Sequence, residues 1–308
     1  MGALDVGAYF KKFCSNIAIP QTKRSTMSLR RRSIAKRINK DFRGIDYEGY
    51  CFYAGSVGRN TANIRVSDID MVCELPASVY HKYNAYQYNG QSAFLQAVKA
   101  SIKATYPNTE LKGDGQVVVV TFSDGMKFEV VPAFLNTDNT TYTYADSNGG
   151  GSWNVMNPKA EIKAIKDGDA ITNNNLHQLC RMMRSWKSYC NVPIKSCLLD
   201  TLAYRFLTKY EYKDKSYVYY DYMCRDFFLY LSKVDISQTY WQMVGSNHHI
   251  YCYDTFQNKA KKAYDKSVEA IDDDNKGYEF TAKSDWREIF GSDFPYTVFP
   301  QHKSRHNI

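Results

Sequence analysis

No apolar run in this chain approaches the roughly 20 residues that a membrane-spanning helix needs. The opening residues, Met1-Gly2-Ala3-Leu4-Asp5, lack the charged-then-apolar order of a secretory signal, so a cytoplasmic location without a membrane partner is expected. No Cys-x-x-Cys occurs; the eight cysteines are scattered, several in apolar context, and read as buried free thiols. His248-His249-Ile250-Tyr251-Cys252 contains metal-ligand residue types, but without a second cysteine pair nearby it reads as an ordinary polar loop rather than a zinc site. Internal repeats are missing too. Finally, no acid lies between Thr22 and Lys40, where eight basic residues (Lys23, Arg24, Arg30, Arg31, Arg32, Lys36, Arg37 and Lys40) match the entire formal net charge of +8.

That basic segment reads as a helix. Ile34 and Ile38, with Met27 earlier, make a narrow apolar stripe, which leaves a wide basic face. Such a face can bind polyanions. The preferred reading is a solvated helix whose inner arginines neutralise neighbouring acids or phosphate, with no duplex nucleic acid required for activity.

The most informative residues are three acids. In Val66-Ser67-Asp68-Ile69-Asp70-Met71-Val72 a strand would place Asp68 and Asp70 on one face, with Ile69 and Met71 on the other. In Met126-Lys127-Phe128-Glu129-Val130-Val131 a second strand would set Glu129 opposite in face to Phe128 and Val130. Three carboxylates on adjacent strands crowd negative charge, which cations and the phosphates they bridge would relieve. An Asp-x-Asp pair alone is far more often part of a surface turn than a metal site. Its context adds weight: Gly55-Ser56-Val57-Gly58-Arg59-Asn60-Thr61 precedes it, and glycines let backbone N–H groups approach a phosphate. No Gly-Lys-Ser/Thr follows, so this is not a P-loop, and phosphate charge must be met by metal ions and remote Lys or Arg.

The periodicity changes near residue 158. Before it, strand-like runs (Tyr50–Ala54, Val66–Glu74, Gln116–Phe122, Met126–Val131) accompany a helix-like stretch, Ser92–Thr105. Ser123-Asp124-Gly125 reads as a hairpin turn that pairs Val119 and Val120 with the Glu129 strand. Asn136–Asn157, with Gly149-Gly150-Gly151, reads as a loop or flexible lid. Beyond it the period is helical: Asn173–Tyr189, Ile194–Lys209, Tyr217–Lys233, Asp254–Ala270 and Thr281–Phe290. Asp272-Asp273-Asp274-Asn275 reads as an exposed turn between helices. Arg181, Arg184 and Lys187 would share one helix face, able to meet the charge of a triphosphate. Ser196 stands at a helix start.

Gly-Ser-Val-Gly-Arg-Asn-Thr, Ser-Asp-Ile-Asp, Phe-Glu-Val-Val-Pro-Ala-Phe, Arg181-Met-Met-Arg-Ser-Trp-Lys187, Pro193-Ile-Lys-Ser196 and Phe290-Gly-Ser-Asp-Phe-Pro295 follow one another in order. Together they resemble the cGAS/DncV-like nucleotidyltransferases, bacterial enzymes that make cyclic oligonucleotide signals in anti-phage defence. The resemblance implies an α+β, bilobed chain around a central cleft: a polymerase-β-like palm with N-terminal helices over residues 1–158, and a helical C-terminal domain over 159–308. It implies two Mg²⁺ ions, replaceable by Mn²⁺, on Asp68, Asp70 and Glu129. ATP, GTP or other nucleoside triphosphates would be substrates, bound by Gly55, Ser56, Arg184, Lys187 and Ser196. Glu129 stands where family members commonly have Asp, and Arg184 where a phosphate-contacting Lys is more usual. The expected product is a purine-containing cyclic dinucleotide that activates a downstream effector, made by a monomer. A cyclic trinucleotide, template-independent RNA synthesis, nucleotidylation of a small molecule or protein, and an inactive nucleotide sensor stay open.

Overall fold

Alternating side chains build the central sheet. The computed structural model describes residues 5–297. Its seven-stranded mixed sheet runs β1 (Cys51–Tyr53), β2 (Asp68–Glu74), β5 (Lys127–Leu135), β4 (Val117–Thr121) and β3 (Glu110–Asp114), while β6 (Tyr142–Asp146) pairs with β5 and β7 (Ser152–Met156) with β6. The β2–β5 pair is parallel and sets Asp70 opposite Glu129. The Ser123–Gly125 turn joins β4 to β5 with Val119 opposite Glu129, the register that the sequence pattern called for.

One face of the sheet is covered by α2 (Gln21–Arg43) and α5 (Gly90–Thr105), with the short α4 (Ala77–Asn84) beside α5; Ile34, Ile38, Phe94 and Val98 bury against Ile69, Met71, Phe128 and Val130. The other face carries the small cluster of Ala54, Val72, Ala133 and Tyr142 and turns toward the helical layer. That layer comprises α6 (Pro158–Ile171), α7 (Asn175–Tyr189), α8 (Ser196–Leu207), α9 (Tyr220–Ser232), α10 (Gln257–Asn275) and α11 (Glu279–Phe290). The first helix, α1 (Val6–Ile17), belongs to this layer: Phe10 meets the Trp286 ring edge-on at 5.1 Å and the Phe294 ring at 5.4 Å.

The structure corrects several expectations. Asn136–Asn157 is not a lid but the β6–β7 hairpin, with Tyr142 and Ala145 buried on opposite faces; its polar composition reflects a pair at the sheet's edge, where β7 pairs only with β6, and the glycines, at φ +58°, +94° and +92°, form the turn. Asp272–Asn275 closes α10 rather than linking helices. His249–Tyr251 forms β9, paired with β8 (Tyr240–Gln242). Cys51 and Cys73 face each other across β1 and β2 and are joined as a disulfide, so free thiols hold only for the other six cysteines. On the basic helix Arg30 pairs with a neighbouring acid, Asp124, at 2.9 Å, and Arg31 donates to the Cys51 carbonyl at 2.9 Å. Among the described residues no helix is long and apolar enough to cross a membrane.

Candidate active site

Between sheet and helices lies a cleft of about 910 Å³. Gly55, Ser56, Asp68, Asp70, Arg184, Lys187 and Ser196 line it. Glu129 does not; it stands beside Asp70 in the ladder, on the same face as Val131, which does. The strand alternation explains this placement: Asp68, Asp70 and Val72 face the cleft, and Ile69, Met71 and Cys73 face α2 and α5.

β1 is followed by Ala54, whose N–H donates to the Asp70 carbonyl at 2.9 Å, and the chain then makes a single helical turn, α3 (Gly55–Gly58). Gly55 has φ +53°, and a methyl group there would stand 1.7 Å from Asp70 Oδ2. Only glycine permits both the backbone and the carboxylate so close to it. The turn folds back on itself, with the Ser56 carbonyl accepting from Thr61 N at 2.9 Å and Ala62 N at 3.1 Å. This brings Arg59 under the cleft, ion-paired to Glu161 at 3.0 Å and Asp200 at 3.4 Å.

The electrostatics divide by wall. Burial pushes the Asp70 carboxyl up; nearby Arg59 opposes that and Asp68 adds to it. Burial, then Asp70 and Asp68, push Glu129 up as well. On the helical wall Arg184 donates to Asp200 at 2.7 Å and to Thr61 at 3.2 Å. Lys187 Nζ donates to Ser196 Oγ at 3.1 Å, and burial, then Arg184, lower its pKa. Arg184 thus lines the cleft while its Nη2 is tied to a buried acid. Ser196 is the first residue of α8 rather than its cap, which is Lys195. None of the described residues lining the cleft is aromatic; its apolar floor includes Val72, Val131, Met156 and Pro158.

Among the described residues no three acid, imidazole or thiol side chains close around a point that could hold an ion. Asp68, Asp70 and Glu129 are neighbours on one sheet face, not a formed cage. Their donor set still fits a hard divalent cation: three carboxylates, two of them pushed toward protonation by burial and mutual repulsion, that a cation would relieve.

A match to the Second Messenger Oligonucleotide or Dinucleotide Synthetase domain spans residues 4–168, more than half of the chain. The chain belongs to that family. A probable cyclic nucleotide synthase of Bacillus cereus (strain VD146) is 23% identical over 179 residues, 54% of this chain and 51% of that protein. The chain thus spans about half the length of the curated relative it matches. Among solved structures, a doubly substituted Vibrio cholerae di-nucleotide cyclase, DncV, with two aspartates two positions apart changed to alanine, aligns with a TM-score of 0.73 at 11% identity over 96% of this chain and 98% of that one. Escherichia coli MS115-1 CdnC with ATP aligns at 0.67 and 17%, over 94% and 98%. These likenesses show the fold: the α+β, polymerase-β-like nucleotidyltransferase architecture of this family.

Sequence reasoning assigned no role to Arg59, Glu161 or Asp200. One signal was available. Asp200 is a lone acid inside Cys-Leu-Leu-Asp-Thr-Leu, a run that otherwise wants to be buried, and a buried acid requires a cationic partner.

Proposed function

We propose that the chain is a metal-dependent nucleotidyltransferase that joins nucleoside triphosphates, ATP and GTP among them, into a cyclic oligonucleotide, a purine-containing cyclic dinucleotide in its simplest form. The observation that carries this reading is the placement of Asp68 and Asp70 on one face of β2, with Glu129 beside Asp70, opposite a cationic helical wall across one cleft. The aspartate spacing matches that of the pair replaced in the DncV variant, and the family's description names the same chemistry. The cleft volume sits at the upper end of the range of about 300–1,000 Å³ for small-ligand sites.

Asp68, Asp70 and Glu129 would hold Mg²⁺, or Mn²⁺ in its place, which when bound supplies charge to a reacting phosphate and lowers the pKa of an acceptor hydroxyl. The protein's own groups do the rest. Asp68 and Asp70 would hold the ion that carries the donor triphosphate, since bare carboxylates repel phosphate. Ser56, at the start of a turn whose leading N–H groups lack intrahelical acceptors, meets the distal phosphates. Lys187, half-buried and bonded to the Ser196 hydroxyl, can turn to the leaving pyrophosphate. Val72, Val131, Met156 and Pro158 give base and ribose an apolar floor that excludes water. With a single acid set, both bonds form at the same carboxylates, and the linear intermediate reseats with its ends exchanged. The released ring would then signal to a cyclic-nucleotide-activated effector in anti-phage defence.

The test is incubation of the purified protein with labelled nucleoside triphosphates and Mg²⁺, followed by phosphatase and mass spectrometry. A phosphatase-resistant dinucleotide ring is expected. A trinucleotide mass would change the ring size, and an open chain or an RNA ladder would overturn the cyclase reading.

A further inference from the structure

A buried carboxylate to which the proposed chemistry gives no task stands behind the cleft. Asp200 is wholly buried. Its Oδ2 accepts from Thr61 Oγ1 and from Arg184 Nη2, each at 2.7 Å, and pairs with Arg59 at 3.4 Å. Arg59 also reaches Glu161 at 3.0 Å, and Glu161 in turn accepts from Ser246, in the β8–β9 turn, at 2.9 Å. A single oxygen on α8 therefore gathers the loop after β1 and a side chain of α7.

We propose that Asp200 is a positioning residue: it fixes the Gly55–Thr61 loop against the helical wall and thereby sets the affinity of the cleft for nucleoside triphosphate. The affinity clause rests on the function proposed above. Helices α7 and α8 present two rungs to each other. The outer rung is Lys187 on Ser196, both lining the cleft. The inner rung is Arg184 on Asp200, with Arg59 and Thr61 added from the loop. A lysine on a hydroxyl exchanges partners readily, whereas a guanidinium on a buried carboxylate does not, because leaving would strand the charge. The outer rung is thus free to grip phosphate, and the inner rung decides where the loop stands. On its other side the loop is already confined, since Gly55 sits against the Asp70 carboxylate. Take Asp200 away and two guanidinium groups under the loop reorient, carrying Ser56 with them.

The experiment uses the full chain and two substitutions, Asp200→Asn and the milder Thr61→Val, each checked for folding by circular dichroism. Calorimetry with a non-hydrolysable ATP analogue and Mg²⁺ should show binding weakened by about threefold to tenfold in Thr61→Val and more than about tenfold in Asp200→Asn. Combined with Ser56→Ala, the Asp200→Asn loss should be non-additive; combined with Lys187→Ala, it should add. Amide exchange across residues 55–61 should quicken in both single variants while β4 and β5 stay protected. Unchanged exchange in folded Thr61→Val overturns the positioning role, and if Asp200→Asn does not fold, Thr61→Val decides alone. Unchanged analogue affinity, or additivity with Ser56→Ala, overturns the affinity clause. A wild-type protein that binds no analogue would instead sink the nucleotide reading, and the exchange measurement would still decide whether Asp200 holds the loop.

Discussion

Asp70 on the sheet wall and Asp200 on the helical wall are both carboxylates drawn away from water, yet their surroundings differ. Around Asp70 the near groups include two more acids, and burial pushes its carboxyl and that of Glu129 up. Around Asp200 two arginines and a threonine hydroxyl converge on one oxygen. The first arrangement leaves negative charge short of cations; the second matches it internally. A wall that must receive cations along with its substrate has to stay uncompensated, whereas a wall that must hold its shape is paired in advance.

Amide substitution should separate the two walls. Asp70→Asn is expected to cut product formation by more than ~10²-fold, while its melting temperature holds or rises, because the native state sheds a carboxylate whose ionised form is penalised by burial. Asp200→Asn should instead lower stability by about 3–5 kcal/mol in urea titrations, the usual cost of stranding buried partners. Loss of stability in both variants, or in neither, would erase the contrast. On the sheet wall the effect should be graded at Glu129: no turnover with Glu129→Gln, and a measurable remainder with Glu129→Asp, assayed as labelled product. Normal turnover by Glu129→Gln would leave β5 without a part in the chemistry.

A third buried acid sharpens the comparison from outside the cleft. Asp221, at the start of α9, has no partner for its Oδ1, and burial pushes its carboxyl up to about 6. The folded chain therefore holds this proton more tightly than the unfolded one, so stability declines as pH rises from about 4 to about 6. Asp221→Asn should recover about 2–3 kcal/mol at pH 7 and almost nothing at pH 4, read from paired denaturation curves. A gain independent of pH would mean that charge is not the cause.

Much of the sheet wall was legible because its signal is local. A two-residue period fixes which face Asp68 and Asp70 share, and the turn at Asp124 fixes the register of Glu129. The helical wall was less so, because its chemistry is pairwise across distance. Arg184 and Asp200 lie on different helices, Arg59 and Asp200 on opposite walls, and nothing in the spacing of either announces the other. The same limit hid the Cys51–Cys73 bridge, which needs the β1–β2 register, and the β6–β7 hairpin, whose Asn, Thr and Gly content resembles a loop until it is seen pairing.

The smallest expected effect concerns the basic helix. Arg30 packs over the Phe122 ring at 3.8 Å and Arg31 holds backbone carbonyls, so reversing either would test the fold rather than binding. Arg32 and Lys36 are exposed, with loose partners Glu48 at 3.9 Å and Asp46 at 3.6 Å. Arg32→Glu with Lys36→Glu should reduce retention of nucleic acid at low salt and leave turnover unchanged. Activity that vanishes on nuclease treatment and returns with added duplex would refute an enzyme independent of nucleic acid.

The packing of α1 sets an order of events during synthesis. Phe10 and Phe13 bury against Phe290 and Phe294, which lie at the far end of the described chain. At about 5–20 residues per second the ribosome needs on the order of 15–60 s to deliver those partners. Over that interval α1 can meet α7 and Tyr220, but it lacks the rings that complete its aromatic packing. The sheet and its two covering helices can complete their own core meanwhile, so the wall that carries the acids can be finished well before the wall that faces it.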